Sequence, residues 1–354
     1  MSCQQHDPFE MSCFAQYRLP YASVYTRIEQ TDGMPLQLHS CKELNGRNGF
    51  VVAPFNVTDE QPILLIRPDR ITDYPVEECS AVASEVVSKT LHQEDYAIDF
   101  ANFHAQLQQG VFSKIVLSRC ASMQMASAPD PQQLFLQACQ CYPRLFIALV
   151  AMPDNSYWLT ATPEILLEGV GEQWRTIALA GTMQLQGDEL KGEGETARWS
   201  TKNIQEQRYV ATYIAECLEH FSINFREEGP RTVRAANLVH LRSDFTFALN
   251  DSACVGNLLD TLHPTPAVCG LPKREAFQFI LRHEHTPRQY YSGFMGPLGM
   301  AGETHLYVSL RCMQIKQDAC RLYAGGGLLK DSQLEQEWQE TEAKMQTMCQ
   351  LLIS

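Results

Sequence analysis

Short apolar runs, separated by Gly, Asn, Asp and Pro, fill the first 75 residues of the chain. The runs are FAQYRLPYASVYT, GFVVAPF and PILLIRP. Runs of this length between turn residues are typical of strands that reverse direction at their ends. Residues 1–75 are therefore predicted to be β-structure broken by turns.

Helical patterns begin after this β-rich part. Residues 77–109 are predicted to be helical, with an apolar stripe that Gly110 ends. Val82, Val86, Val87 and Leu91 form the stripe, and Ile98, Phe103 and Leu107 continue the apolar content as far as Gly110. Asp130 and Pro131 predict the N-cap and the first position of the next helix. A later helix is predicted over 195–222.

Extended patterns lie between these helices. FSKIVLSRC, LFIALVAM, YWLTATPEILLEGV, WRTIALAGTM and LVHLRSDFTFAL are each predicted to be strands. Pro163, inside the third of them, predicts an edge or a bulge at which a side chain is re-aimed. The chain therefore mixes helices and strands along most of its length.

The segment from Val308 to Lys344 is predicted to form a β-hairpin, a glycine turn and a helix. In the first strand, Arg311 is expected to share a face with Met313 and Ile315. A guanidinium on a largely apolar face needs a partner, and a bidentate carboxylate is the best one.

The glycine turn, Gly325 to Gly327, would let backbone N–H groups approach a ligand closely. Ser332 and Glu335 have the spacing of a capping box, which predicts that the helix begins there. The glycines and the start of the helix are thus expected close together.

Charged side chains on this last helix allow two readings. Glu337, Glu340 and Lys344 fall on one side of it, at i, i+3 and i+7. They form either a solvated face, with an ion pair worth about 0.3–0.5 kcal/mol, or a site where two carboxylates hold a hard cation beside a bound anion. Lys202 and Glu206, i,i+4 neighbours in the earlier helix, have a surface ion pair as their simpler reading.

Three further side chains stand in unusual surroundings. Lys114 is a lone ammonium in an apolar strand, and is either a snorkelling edge lysine or a desolvated lysine able to act as a base. Glu164 precedes Ile-Leu-Leu, and is either a turn glutamate or a carboxyl whose pKa is raised as a general acid requires. His263 precedes Pro-Thr-Pro, so it is rigidly held, either as a structural or a functional histidine.

Composition narrows the class of protein. The chain has 354 residues, is 45% hydrophobic and 19% charged, and carries a net charge of -13, which disfavours nucleic-acid binding. Its 13 cysteines contain no CxxC pair, so reduced thiols in a cytoplasmic protein are expected rather than disulfides or zinc. The first residues lack the basic and apolar regions of a secretory signal, and no apolar run is long enough to span a bilayer, so we expect neither a signal peptide nor a membrane span. An anionic substrate would need local cations or a metal.

The motifs KIVLSR, TPE, ALAGT, K-x-x-x-E, LHPTPAVCGLP, YYSGFMG, LRC, LYAGGG and EWQET-x-x-K occur in this order. In that order they resemble the chorismate-utilising enzyme family, over roughly residues 100–350. The resemblance implies an α+β fold: a single large domain, 1–354, of layered antiparallel β-sheets with outer helices, like anthranilate and aminodeoxychorismate synthases. Residues 1–99 would be its β-rich N-terminal part and 100–350 the family core.

Within the family the chain looks most like isochorismate synthases of the menaquinone type. Such enzymes carry a lysine in the KxVLSR strand, whereas aminating relatives usually lack it and carry a proline-led PIAGT or PIKGT segment in place of ALAGT. The resemblance implies an isomerase that converts chorismate to isochorismate. Lys114 would be the general base for water attacking C2, and Glu164 the general acid for the departing C4 hydroxyl.

The resemblance also implies a Mg²⁺ cofactor and a set of binding residues. Glu206 and Glu340 would hold the metal, with Glu337 as direct or water-mediated support. The residues expected to bind or enclose the substrate are Gly181, Thr182, His263, Ala267, Tyr291, Arg311, Tyr323, Gly325 and Lys344. The expected protein is a monomer that needs neither a membrane nor a glutaminase partner.

Departures from the family pattern and rival functions remain. Gln207 and Thr201 replace a histidine and an acidic residue that are common in relatives, and GGG replaces the commoner GAG. The nearest rival is a salicylate synthase, which shares the residues of the first step. Lys114 counts against an ammonia-using synthase. The paired acid and base count against a non-catalytic chorismate-binding protein, which would need neither. The pathway, menaquinone or siderophore, stays open.

Overall fold

The computed structural model describes residues 13–77, 84–184, 197–222, 224–235, 238–249 and 254–353. Within these ranges the chain forms two antiparallel sheets and six α-helices, so the predicted α+β class is confirmed. The helices are α1 Gln93–Gln108, α2 Pro131–Cys141, α3 Thr201–Leu218, α4 Val255–Leu262, α5 Lys273–His283 and α6 Leu334–Ile353. None of the helices described is both long enough and apolar enough to cross a membrane.

Ten strands make the first sheet and nine make the second. The strands are β1 Cys13–Arg18, β2 Val24–Gln30, β3 Leu36–Leu38, β4 Gly49–Ala53, β5 Ile63–Ile66, β6 Arg70–Pro75, β7 Val86–Thr90, β8 Lys114–Met125, β9 Phe146–Ala151, β10 Tyr157–Thr162, β11 Ile165–Val170, β12 Gln173–Gln184, β13 Phe225–Ala235, β14 Leu238–Phe247, β15 Gly270–Leu271, β16 Phe294–Leu298, β17 Glu303–Val308, β18 Cys312–Lys316 and β19 Ala319–Leu328.

Strand order in the first sheet is β15-β8-β19-β18-β10-β9-β1-β2-β6, and β7 also pairs with β8. The second sheet runs β13-β14-β12-β11-β17-β16-β4-β5-β3. Apolar side chains from both sheets meet in one buried cluster, in which the rings of Phe146 and Tyr307 stack with centroids 4.3 Å apart. Of the six strands before residue 76, β1, β2 and β6 belong to the first sheet and β3, β4 and β5 to the second.

The chain changes sheet at several points, and two of the segments where it does so are neighbours in space; we call these two the crossing segments. One is Pro163 and Glu164, between β10 and β11; the other is the stretch 309–311, between β17 and β18. Two backbone hydrogen bonds hold these segments side by side. The Val308 N–H donates to the Glu164 carbonyl at 2.9 Å, and the Ala161 N–H donates to the Arg311 carbonyl at 3.1 Å. Pro163 therefore lies where the chain leaves the first sheet for the second. This changes the chain direction more than the predicted bulge would.

Three secondary-structure predictions are wrong. Residues 86–90 form β7, not a helix, because their backbone pairs with the edge of β8 and helix α1 begins only at Gln93. The three glycines lie inside β19, paired with β8, rather than in a turn. Helix α6 begins at Leu334, and the Ser332 hydroxyl accepts from the Leu329 N–H instead of capping it.

Helix α2 begins as predicted. The Asp130 carboxylate accepts from the N–H groups of Gln132 and Gln133, and Pro131 occupies the first turn. We expect Asp130→Ala to lower the free energy of unfolding by about 1 kcal/mol, because two helix N–H groups lose their acceptor. Urea denaturation of both proteins measures this, and Asp130→Asn, which keeps a capping oxygen, should lose much less.

Candidate active site

A small cavity of about 60 Å³ lies where the crossing segments meet β19 and the helices α3 and α6. Nine of the predicted site residues line it: Glu164, Gly181, Thr182, Glu206, Ala267, Tyr291, Arg311, Gly325 and Lys344. Other lining side chains include Val116, Pro163, Leu179, His240 and Leu310. Most of the residues predicted to form the site therefore surround one cavity.

Glu164 has the environment that a general acid requires. The first crossing segment carries it, and its side chain is 3% exposed. Burial raises its pKa to about 8, although the positive charges of Lys114, Lys344 and Arg311 oppose the rise. The carboxyl is therefore largely protonated at neutral pH and can donate a hydrogen bond or a proton, and the reading as a turn glutamate facing water is wrong.

Lys114 lies behind the cavity wall. It is fully buried, so the snorkelling reading is wrong, and its Nζ lies 3.1 Å from Oε1 of Glu206, which does line the cavity. Burial alone would raise the pKa of Glu206, but Lys114, Lys202 and Lys344 together hold it below its ordinary value. Glu206 is therefore ionised, and it binds Lys114 in this structure.

The carboxylates of α6 are also paired with lysines. Glu337, 1% exposed, forms an ion pair with Lys202, while Glu340 accepts from Lys344 at 2.7 Å. The Lys344 ammonium also donates to the Gly325 carbonyl at 2.9 Å. A merely solvated helix face is thus wrong for Glu337, and Lys344 is fixed against the glycine segment at the cavity.

The glycines of β19 leave the space into which these carboxylates reach. A Cβ on Gly327 would overlap Oε1 of Glu206 and stand 2.8 Å from its Cδ, whereas a Cβ on Gly326 would stand 3.2 Å from Oε2 of Glu337. Alternate residues of a strand face opposite ways. The two added Cβ atoms would thus point to opposite faces, yet the Lys202 ammonium that pairs with Glu337 also feels the charge of Glu206, so both carboxylates lie around one cation beside the glycines.

The carboxylates of Glu206, Glu337 and Glu340 are suitable ligands for a hard cation, but they are not arranged as a metal-binding site in this structure. Among the described residues, no three His, Cys, Asp or Glu side chains are grouped so that they could hold a metal ion. Oε2 of Glu337 is buried without a hydrogen-bond partner, and burial together with the nearby charge of Glu340 raises the pKa of Glu337. A hard cation such as Mg²⁺, which prefers carboxylate oxygen, would relieve this repulsion.

Arg311 differs from its prediction. It precedes β18 in a left-handed conformation, with φ 46°, so it does not share a strand face with Met313 and Ile315. Its partners are the Ala235 carbonyl, at 3.1 Å from Nη1, and the ring nitrogen Nε2 of His240, at 2.5 Å from Nη2. No carboxylate among the described side chains binds it, and burial lowers its pKa to about 10, so it remains a cation facing the cavity.

Among the described residues that line the cavity, His240 is the titratable one that sequence reasoning missed. Its Nδ1 lies 3.0 Å from the Gly181 carbonyl, and burial followed by the charges of Arg311 and Lys344 holds its pKa well below the ordinary value. Because Arg311 can only donate, Nε2 must accept and Nδ1 must carry the proton. A histidine in the strand LVHLRSD is a signal, but its partner is visible only from the register of β14 with β12.

Gly181 has a backbone conformation that His240 helps to hold. It sits at a bulge in β12, between Ala180 and Thr182, with φ 72°. A side chain there would be strained by the positive φ and would come within 3.1 Å of Cβ of Asn203. The ALAGT segment therefore needs its glycine to turn the Gly181 carbonyl toward His240.

Two predicted substrate residues lie outside the cavity lining. His263 Nε2 is 3.1 Å from the Pro54 carbonyl, its ring packs edge-on against Phe294, and burial lowers its pKa to about 3, as expected for a structural histidine. Its side chain thus lies outside the cavity lining, and its predicted place near the reacting edge stays a prediction. Tyr323 stacks on Tyr291 with centroids 5.6 Å apart, so it supports a cavity wall from behind.

Comparison with known proteins gives one family. Residues 67–353 match the model of the family described as "Chorismate binding enzyme". Isochorismate synthase DhbC of Bacillus subtilis is 30% identical over 351 residues, which is 93% of this chain and 87% of that protein. Isochorismate synthase MenF of Escherichia coli is 32% identical over 243 residues, 67% of this chain but only 55% of MenF.

Solved structures share the fold. The structure of E. coli MenF, described as menaquinone-specific, matches with a TM-score of 0.82 over 98% of this chain and 92% of its own, at 22% identity. Anthranilate synthase component I of Streptococcus pneumoniae matches with a TM-score of 0.71 at 15% identity, over 98% and 94% of the two chains. The predicted synthase-like fold is thereby confirmed.

Proposed function

The chain belongs to the chorismate-binding enzyme family, and on that premise we propose that it is an isochorismate synthase. The reaction would move a hydroxyl: water adds at C2 of chorismate, the C4 hydroxyl leaves as water, and the ring double bonds shift between them. The relatives named above support this activity, and the chemistry of the cavity supports its acid and its anion-binding groups.

The observation that carries the proposal is a protonated carboxyl beside cationic groups in one cavity. Glu164, with a pKa of about 8, lines the same space as Arg311 and Lys344. The two cations would bind substrate carboxylate groups, and Glu164 would protonate the departing hydroxyl. A protein that only bound chorismate would gain nothing from an acid kept protonated there.

Lys114 would take the proton from the attacking water. An ammonium paired with Glu206 is a donor, so Lys114 can act as a base only when Glu206 has another cationic partner. Glu206, Glu340 and Glu337 would hold Mg²⁺, which when bound would chelate the ring carboxylate and withdraw electrons from the ring. Each positioned acid or base contributes typically about 10²–10⁴-fold.

Product analysis tests this assignment. Purified protein is incubated with chorismate and Mg²⁺, with and without ammonium, and the products are separated chromatographically. Isochorismate as the sole product supports the proposal. Salicylate with pyruvate would assign a salicylate synthase instead, anthranilate or aminodeoxychorismate would assign an aminating enzyme, and unchanged chorismate would reject catalysis. No glutaminase is needed in the assay under the proposal.

The acid role of Glu164 predicts a pH dependence. The catalytic form is protonated, so kcat/KM should be level below pH 8 on this limb and fall about tenfold per unit above it, as the carboxyl with a pKa of about 8 ionises. Initial rates between pH 6 and 10 measure the limb. Glu164→Gln should lose most activity together with this limb, and a wild-type profile still rising at pH 9.5 would contradict the role.

A further inference from the structure

Three carboxylates near the glycines of β19 are each bound to a different lysine. The pairs are Lys114 with Glu206, Lys202 with Glu337 and Lys344 with Glu340. With all six groups ionised, the positive and negative charges cancel. A divalent cation held by the same carboxylates would add two positive charges, and each ammonium that stayed beside it would repel it.

Lys202 interacts with all three of these carboxylates. Its ion pair is with Glu337 of helix α6, although Lys202 itself belongs to α3. Burial would lower the pKa of Lys202, but the charges of Glu337, Glu340 and Glu206 outweigh burial and raise this pKa above its ordinary value. The ammonium therefore lies where three negative charges act together, which is the electrostatic environment that a bound divalent cation needs.

Two of the carboxylates face one point beside Gly326. A Cβ added to this glycine would stand 3.2 Å from Oε2 of Glu337 and 3.7 Å from Oε1 of Glu340. Oε2 of Glu337 is buried without a hydrogen-bond partner, whereas Lys202 binds the other oxygen, Oε1. A buried carboxylate oxygen without a partner, close to a second carboxylate, is the kind of ligand that a hard cation binds.

Lys202 is the most exposed of the three lysines. Its side chain is 26% exposed, compared with 19% for Lys344 and 0% for Lys114. Lys344 is also bound to the Gly325 carbonyl, at 2.9 Å from Nζ. Lys202 is moreover the second residue of α3, where the positive end of the helix dipole repels a cation. The carboxylates thus hold the Lys202 ammonium against this repulsion, and it has access to solvent.

We propose that Lys202 is an internal counter-ion, which occupies the cation position among the three carboxylates and is displaced into solvent by a divalent metal ion. The identity of that ion as Mg²⁺ rests on the proposed function, whereas the displacement of Lys202 does not. While Lys202 is inside, it relieves the repulsion between Glu337 and Glu340. It therefore also lowers the apparent affinity for the metal ion, because only molecules in which Lys202 has left are competent to bind.

Two methionine variants with equal net charge test the effect on affinity. Lys202→Met removes the counter-ion, and Lys316→Met removes an exposed charge that pairs with Asp154. Mn²⁺ is titrated into each protein while electron paramagnetic resonance measures the free ion, with Mg²⁺ as competitor. Lys202→Met should bind both ions about tenfold more tightly than wild type, and Lys316→Met should match wild type. Unchanged or weaker binding in Lys202→Met would overturn the proposal.

Chemical labelling of the wild-type protein tests the displacement itself and requires no variant to fold. A pulse of acetic anhydride, followed by mass spectrometry of peptides, reports which lysines are accessible. Mg²⁺ should raise the labelling of Lys202 several-fold and leave that of Lys316 unchanged, because only Lys202 is released from carboxylates by the ion. Unchanged or lower labelling of Lys202 would mean that its ammonium stays in place, and the counter-ion role would then be rejected.

Neither measurement uses chorismate, so the outcome is separate from that of the product analysis. Displacement of Lys202 in a protein that leaves chorismate unchanged rejects only the proposed reaction. Isochorismate formation without displacement rejects only the role of Lys202. A protein that binds no divalent ion and forms no isochorismate rejects both.

Discussion

Replacing Lys114 with alanine is expected to lower kcat by about 10²–10⁴-fold, the range for loss of a general base. The side chain is fully buried and its Nζ lies 3.1 Å from Oε1 of Glu206. Without the amine, the attacking water would lose the base proposed for it, while Arg311 and Lys344 still bind the substrate as cations. Steady-state kinetics with chorismate measures the loss, and circular dichroism checks that the fold is kept.

A rescue experiment distinguishes a base from a structural lysine. Ethylamine fits the space that Lys114→Ala leaves, so it should restore part of the turnover in proportion to its neutral fraction, with a rise toward high pH. Lys114→Met fills the same space and should not be rescued. Near-normal turnover in either variant would remove Lys114 as the base. Adding Glu206→Gln to Lys114→Met removes the unpaired buried carboxylate and should recover stability without activity.

Gly327→Ala is expected to lower kcat/KM by at least about 10²-fold, since misplacing a reacting group by about 1 Å can cost that much. The new methyl would overlap Oε1 of Glu206 and stand 2.9 Å from Cε of Lys114, so both side chains must move away from the cavity. The same kinetic assay measures the loss, and apparent Mg²⁺ affinity should weaken with it because Glu206 is displaced.

Gly326→Ala is the matched control for this variant. Its methyl would face the other side of β19, 3.2 Å from Oε2 of Glu337, a contact that a shift of a few tenths of an ångström relieves. It also produces the Gly-Ala-Gly pattern that is common in the family. We expect activity within about fivefold of wild type. Equal losses in the two variants would mean that the glycines matter for strand pairing rather than for the space beside Glu206.

The pattern of neighbouring residues predicted most helices and strands. It did not predict the long-range strand pairing that changes the secondary structure of a few segments. The apolar strand around Lys114 and the cap at Asp130 follow from residues that are neighbours in sequence. Residues 86–90 carry two valines at positions a helix could also use, and only pairing with β8 makes them a strand. The three glycines of β19 also look like a turn in the sequence. Their strand partner, β8, lies about 200 residues away, so the pairing is not visible from neighbouring residues.

The site shows the same limit. Residue types that are rare in apolar surroundings, such as Lys114 and Glu164, are visible in the sequence, and both prove to be buried. The choice between two histidines is not visible, because it depends on which strand register faces Gly181. His263 has the more distinctive neighbours, yet His240 is the one that contacts Arg311. Ion pairing between Lys114 and Glu206 likewise depends on the packing of α3 on β12, which brings Glu206 to the start of β8.

The pairing of β8 with β19 has a consequence for biosynthesis. It joins Ile115 to Leu328 and Gln124 to Ala319, so about two hundred residues separate the partners. A ribosome adding about 5–20 residues per second exposes β8 for ten seconds or more before its partner emerges. During that interval an apolar strand with an unsatisfied edge is available to chaperones and to other nascent chains, so the yield of active protein should depend on holdase capacity more than on the stability of the finished fold.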